Sequence, residues 1–161
     1  MNKLNLILKS GETLFHTQDL ALLWEIENRN TLYTTIKRYV KQGVLVAVTR
    51  GLYSTIPVAE IDKFKLGSAL IHKYSYVSCE TVLAQTGVIN QAVYPIIFVT
   101  SVSLRLKFGE TQYIYRQLRP EILFDPNGVE SKDGYFMATK ERAISDMLYF
   151  NPKYYFDNIP K

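Results

Sequence analysis

The sequence predicts an α+β protein built from two small domains, and three observations support that prediction. Apolar residues recur at helical spacing in both halves of the chain, for example at Leu32, Ile36 and Val40. Short runs rich in β-branched or aromatic residues also occur in both halves, among them residues 44–48 and 94–100. Pro57 interrupts these patterns, and 161 residues are enough for two modest cores.

Two short helices are predicted at the start of the chain. The first covers roughly residues 2–9, where Leu4, Ile7 and Leu8 share a face, and Gly11 ends it. The second covers about residues 18–26 and carries an apolar stripe that includes Leu20 and Trp24. Thr17 is the expected N-cap of the second helix, since a threonine hydroxyl can accept from the unpaired amides of a first turn.

A third helix is predicted to run to about Gln42. Asn30 or Thr31 is the expected N-cap, and Gly43 supplies the left-handed residue at which helices often end. The stripe of Leu32, Ile36 and Val40 indicates one buried side, so the polar and basic residues between them should face outward.

A β-hairpin is predicted after Gly43. Residues 44–48 form the first strand, Thr49-Arg50-Gly51 the turn, and residues 52–56 the returning strand. Three helices followed by a hairpin with a basic tip are the order of a winged helix-turn-helix. We therefore expect an N-terminal winged helix-turn-helix domain over residues 1–57.

The positive charge of the chain is concentrated in this domain. The net charge is +4, and no acidic residue lies between Glu27 and Glu60. A helix fits the major groove of DNA, with short polar side chains at its start facing base edges and cations further along facing phosphates. The predicted base-reading residues are Arg29, Asn30, Thr31, Thr34 and Thr35, and the predicted phosphate-contacting residues are Lys37, Arg38, Lys41 and Arg50.

Residues 58–161 are predicted to form a small mixed α+β domain. Helices are expected near residues 58–72, 79–86 and 139–150, the last with Thr139 as its cap. Strands are expected at residues 94–100, 111–118 and 134–138, and the nearly continuous apolar run of the first favours a buried central strand. The basic residues Arg105, Lys107, Arg116 and Arg119 are compatible with a DNA-contacting surface, a site for an acidic partner, or an ordinary solvated face.

No feature of the sequence predicts catalysis, a metal or a cofactor. The chain has one cysteine, Cys79, and two histidines, and its carboxylates lack metal-ligand spacing. Cys79 starts a helix, which can lower a thiol pKa, but no base is identifiable near it. The chain contains no apolar run of membrane-spanning length and no cleavable leader, so we expect a cytoplasmic protein without a membrane partner.

Four segments in order resemble the AbiEi-type antitoxins of type IV toxin–antitoxin systems. They are residues 15–20 (FHTQDL), residues 45–54 with Arg-Gly-Leu-Tyr-Ser at their end, residues 76–83 (YVSCETVL) and residues 137–146 (MATKERAISD). The resemblance implies an N-terminal winged helix, with the third-helix residues and Arg50 reading DNA, and a C-terminal antitoxicity domain. In the last segment it implies a mainly structural role, with Thr139 capping and Arg142 and Asp146 available for pairing.

The resemblance also implies a biological setting. Such proteins are bacterial regulators that repress their own operon by binding inverted repeats near the promoter. They counteract a cognate nucleotidyltransferase-type toxin without a stable complex. We therefore predict a sequence-specific DNA-binding transcriptional regulator that is an autorepressing antitoxin. The alternative is a protein-interaction module whose winged helix docks a partner, a nuclease-type enzyme is a weaker third, and the oligomeric state stays open.

Overall fold

A computed structural model describes residues 2–159. The chain divides into two compact units, one ending at Ile61 and one beginning at Asp62. Both units combine helices with a β-sheet, so the protein belongs to the α+β class that the sequence predicts. The sequence predicts the division just before residue 58, where the structure instead has a 3₁₀ turn, Val58–Glu60, that closes the first unit.

The first unit has three helices and three strands, in the order helix, strand, helix, helix, strand, strand. They are α1 (Lys3–Ser10), β1 (Leu14–His16), α2 (Thr17–Trp24), α3 (Arg29–Lys41), β2 (Val46–Thr49) and β3 (Leu52–Ser54). The predicted α1, α2, α3 and hairpin are present with ends shifted by a few residues. Gly43 has the left-handed φ of 78° that was expected just after α3.

Two helix caps differ from the prediction. The N-cap of α3 is Asn28, whose Oδ1 accepts from the backbone N–H of Thr31 at 3.0 Å, so Asn30 and Thr31 already belong to the first turn. The N-cap of α2 is His16, whose backbone N–H donates to Asp19 Oδ2 at 2.7 Å. In both cases the N-cap is an earlier residue than the predicted one, so the helix starts closer to the N-terminus.

The three strands form one antiparallel sheet in the order β1-β3-β2. Phe15 of β1 is opposite Tyr53 of β3, and Ala47 of β2 is opposite the same tyrosine. The sequence does not predict β1, because three residues are too few to show an alternating pattern. The core of the unit is built from Ile7, Phe15, Leu20, Trp24, Leu32, Ile36 and Leu45.

The second unit is a mixed sheet with helices. Its strands are β4 (Tyr76–Val77), β5 (Ile96–Thr100), β6 (Leu104–Phe108), β7 (Thr111–Gln117), β8 (Val129–Ser131) and β9 (Phe136–Ala138), and its helices are α4 (Lys63–Ile71), α5 (Glu80–Gln85), α6 (Pro120–Leu123) and α7 (Lys140–Phe150). The strand order is β6-β7-β5-β4-β9-β8, with β5–β7 and β4–β9 parallel and the other pairs antiparallel.

The sequence prediction for this unit is right for its longest elements. All five residues of β5 are buried and the strand is interior to the sheet, as the apolar run predicted. Thr139 caps α7, with its hydroxyl oxygen accepting from the backbone N–H of Arg142 at 3.2 Å. The strands β6 and β8 and the one-turn helix α6 were not predicted.

Helix α4 lies unusually close to the sheet at Gly67. A Cβ at this position would stand 2.5 Å from Cε1 of Tyr113 and 2.6 Å from Cε2 of Phe98, so the contact requires glycine. Two tyrosine hydroxyls of β7 donate to carbonyls of the same helix, Tyr113 to Lys63 at 2.7 Å and Tyr115 to Gly67 at 2.6 Å. The packing at Gly67 and the two tyrosine hydrogen bonds thus set the same short distance between α4 and the sheet.

A buried polar network joins α7 to the strand β4 and to the segment after α6. Asp146, 1% exposed, accepts from Ser78 Oγ at 2.7 Å and from Tyr76 Oη at 3.0 Å. The Nε of Arg142 lies 3.4 Å from Asp146 Oδ1 and donates to Tyr76 Oη at 3.2 Å. Burial raises the pKa of Asp146, against the hydrogen bonds and the nearby guanidinium that lower it. The pairing of Arg142 with Asp146 that the resemblance implied is present.

Within residues 2–159, none of the helices has both the length and the apolar character needed to cross a bilayer.

Candidate nucleic-acid interface

The exposed side of α3 gathers polar and basic residues along one line. Asn30, Thr34, Lys37 and Lys41 follow one another at intervals of four, three and four residues, and all four are exposed. At roughly 100° per residue these intervals bring side chains back to the same side of a helix. The line therefore presents an amide and a hydroxyl near the helix start and two ammonium groups near its end.

The opposite side of α3 belongs to the core. Leu32 and Ile36 are 6% and 2% exposed. Thr35 is also buried, at 6% exposed, and its hydroxyl donates to the carbonyl of Thr31 at 2.8 Å. The prediction that Thr35 faces a ligand is therefore wrong. A threonine can turn its hydroxyl back to the preceding helical turn, which satisfies the polar atom within an apolar surface.

Thr31 is exposed but engaged in the cap of the helix. Its hydroxyl donates to Asn28 Oδ1 at 3.3 Å, the same oxygen that accepts the Thr31 amide. The first turn of α3 carries no acidic residue, so the positive end of the helix dipole is not offset there.

Two arginines of α3 are positioned by aromatic rings. The guanidinium carbon of Arg29 lies 5.5 Å from the ring centroid of Tyr33, and Nη2 lies 3.5 Å from the hydroxyl of that tyrosine. The guanidinium carbon of Arg38 lies 5.5 Å from the ring centroid of Tyr39. Such contacts restrict the side chains while leaving the charge available. Both arginines are exposed.

Tyr33 is not among the residues predicted for this surface, but 43% of it is exposed. It adds an aromatic ring to the outer side of α3, beside Arg29. The signal that could have revealed this is the spacing of four residues between Arg29 and Tyr33, which places them on adjacent turns of one side.

Arg50 lies at the tip of the hairpin and is exposed. The turn is tight because Gly51 adopts a left-handed φ of 80°. The carbonyl of Gly51 accepts from the backbone N–H of Thr17 at 3.0 Å, which attaches the hairpin tip to the first residue of α2. Arg50 is thus held on a fixed turn, next to the start of α2.

The basic residues of the second unit do not form one surface of free charge. Arg116 donates from both terminal nitrogens to the two carboxylate oxygens of Glu80, each at 2.8 Å, and is partly buried. Arg105, Lys107 and Arg119 are exposed. One of the four cations noted in the sequence is therefore neutralised inside the unit.

Cys79 is not placed as a nucleophile. It is 0% exposed, and burial raises the pKa of its thiol to about 12 in spite of the nearby Arg116. Helix α5 begins after it, but desolvation outweighs any lowering of the pKa by the helix. Among the described residues, no group of three or more histidine, cysteine or acidic side chains is arranged to hold a metal ion.

We expect Cys79 to react with a thiol reagent such as Ellman's reagent only when the second unit opens. At about pH 8 an exposed thiol is partly ionised, whereas a buried thiol with a raised pKa stays protonated. Labelling of the native protein should therefore be slower by orders of magnitude than labelling in urea, with the urea-unfolded chain as the reference. Rapid stoichiometric labelling of the native protein would show that the thiol is accessible.

No protein-family model matches the chain, and no curated protein matches it at a significant level.

Proposed function

We propose that this protein is a sequence-specific regulator of transcription that binds duplex DNA through a winged helix-turn-helix. In this proposal α3 is the recognition helix and enters the major groove, and the β2–β3 hairpin is the wing. The observation that carries the proposal is the outer side of α3, where basic, amide and hydroxyl side chains are exposed and no acidic residue interrupts them.

The arrangement of the first unit supports this proposal. α2 and α3 are joined by a short turn over residues 25–28, and the hairpin follows α3 directly. In the sheet, which has the order β1-β3-β2, the first strand β1 pairs with the last strand β3. Helices joined by a tight turn, the second of them exposed on its outer side, are the parts that a helix-turn-helix protein uses to reach base edges.

We further propose that the regulator is an autorepressing antitoxin of a type IV toxin–antitoxin system, acting in the cytoplasm on inverted repeats in its own promoter. This part rests on the resemblance of four segments to AbiEi-type antitoxins. It includes a cognate nucleotidyltransferase-type toxin that is counteracted without a stable complex. The test is the neighbouring open reading frame: it should encode a nucleotidyltransferase whose growth inhibition is relieved when this chain is co-expressed. Persistent growth arrest would contradict the antitoxin role and leave the DNA-binding proposal standing.

DNA binding itself is tested by its salt dependence. Lys37, Arg38, Lys41 and Arg50 are the four cations predicted to contact phosphates, and Arg29 at the start of α3 brings the positive charges near the duplex to about five. Each neutralised phosphate releases counterions. We expect the logarithm of the binding constant to fall with the logarithm of salt concentration with a slope of about −4 to −5. Fluorescence anisotropy of a labelled duplex, titrated at several salt concentrations, measures this slope.

The same titration separates the proposal from the alternative in which the unit docks a protein. A binding constant that hardly changes between low and moderate salt would contradict a phosphate-contacting surface. An unrelated duplex of equal length shows whether the binding that is seen prefers one sequence.

A further inference from the structure

The polar side chains at the start of α3 differ in what they already bind. The amide oxygen of Asn28 accepts from both the backbone N–H and the hydroxyl of Thr31. The hydroxyl of Thr35 is committed to the Thr31 carbonyl and is buried. These three side chains therefore stabilise the helix, and Thr31 and Thr35 are no longer candidates for contacting bases.

Two polar side chains in the first two turns stay available. Asn30 and Thr34 are exposed, and neither side chain makes a hydrogen bond within residues 2–159. They are one turn apart on the same line as Lys37 and Lys41. Along this line, the amide of Asn30 and the hydroxyl of Thr34 lie nearer the start of α3, and the two lysines lie nearer its end.

We infer that Asn30 is the side chain that determines sequence specificity, by recognising an adenine in the major groove. This inference rests on the proposed binding of DNA by α3. The amide nitrogen of an asparagine can donate to adenine N7 while its amide oxygen accepts from adenine N6, a pair of bonds that no other base edge in the major groove matches. The side chain of Thr34 is short, so the helix can come close to the floor of the groove, and Asn30 can then reach the base edge.

The neighbouring charges fit this placement. Lys37 and Lys41 continue the line towards the end of α3, where flexible ammonium groups suit phosphates better than bases. Arg29 is held against Tyr33 at the side of the line. The specific and the electrostatic contacts would therefore come from successive turns of one helix, so that loss of the amide should alter sequence preference without altering the salt dependence.

The first experiment selects duplexes from a pool with a randomised central segment, using the full-length protein. The wild type should enrich a motif with at least one invariant A·T pair. Asn30→Ala should bind the pool with an unchanged salt slope but lose the preference at that pair. Asn5→Ala is the matched control, because Asn5 is an exposed asparagine on α1 of the same unit, and it should select the wild-type motif.

The second experiment identifies the atom that is read. Replacing the selected adenine by 7-deazaadenine removes the N7 acceptor and keeps the base pair. For the wild type we expect affinity to fall about tenfold, in the range for one bidentate base contact. For Asn30→Ala the two duplexes should bind equally, because the side chain that distinguishes them is absent.

The outcomes of these experiments distinguish failure of the Asn30 inference from failure of the proposed DNA binding. If the protein binds duplexes with a steep salt slope but Asn30→Ala keeps the adenine preference, or if 7-deazaadenine changes nothing, the role of Asn30 is refuted and DNA binding stands. If no duplex binds with a salt-dependent constant, the proposed function fails and the inference fails with it. A motif without an A·T pair also refutes the role of Asn30.

Discussion

Replacing Arg142 by alanine is expected to lower the free energy of unfolding of the second unit by about 3–5 kcal/mol, the cost of removing one partner of a buried charge pair. Asp146 would keep its place in the interior, where it is 1% exposed, without the guanidinium beside it. Arg142 is itself 8% exposed, so solvent does little to screen the pair.

The guanidinium also holds the chain segment after α6. Its Nη2 donates to the carbonyl of Ile122 at 2.6 Å, and its Nη1 donates to the carbonyls of Asp125 and Asn127 at 3.0 and 2.6 Å. These acceptors would lose their donor in Arg142→Ala. Ile122 is only partly buried and Asp125 and Asn127 are exposed, so water can replace the lost donor at these carbonyls, and their loss adds little to that of the charge pair.

Urea denaturation followed by circular dichroism measures the effect. Lys140→Ala is the matched control, because Lys140 is an exposed cation on the same helix, and its effect should stay within about 0.5 kcal/mol. Adding Asp146→Asn to Arg142→Ala removes the unpaired charge, so the double variant should be more stable than Arg142→Ala alone. A double variant that is less stable would mean that the charge is not the main cost.

Removing two cations from α3 is expected to have the largest effect on DNA binding. For Lys37→Ala combined with Lys41→Ala, affinity at about 0.1 M salt should fall by roughly tenfold per lost phosphate contact, or about a hundredfold together. The slope of the salt dependence should become shallower by about two units. Both lysines are exposed, so the substitutions should leave the fold intact.

The control for this variant is a protein with the same net charge. Lys73→Ala combined with Lys140→Ala removes two exposed lysines from the second unit. Anisotropy titrations of one labelled duplex should give this control nearly the wild-type affinity and slope. Equal losses in the two double variants would show that net charge, and not the outer side of α3, governs the interaction.

The elements that the sequence predicts best are those with long, unambiguous patterns. α7 has a capping threonine followed by apolar residues at helical spacing, and β5 has a continuous apolar run, so both are found where expected. β1 and β8 have three residues each, and their place is decided by pairing with β3 and β9. Distant pairing of this kind has no local signal in the sequence.

The candidate site shows the same division between local and distant information. The exposed line of Asn30, Thr34, Lys37 and Lys41 follows from helical spacing alone. The burial of Thr35 could not be predicted, because its hydroxyl is satisfied by a carbonyl one turn earlier and it then packs like an apolar residue. The neutralisation of Arg116 depends on Glu80, which is far away in sequence and close only in the folded unit.

Gly67 has a consequence for how this sequence can diverge. A larger residue there would move α4 away from the sheet. The hydroxyls of Tyr113 and Tyr115 would then no longer reach the helix carbonyls to which they donate. Two buried phenol groups would be left without acceptors, a state that proteins rarely tolerate. Substitution at these three positions is therefore coupled: a relative with a side chain at position 67 should also have lost the tyrosine hydroxyls.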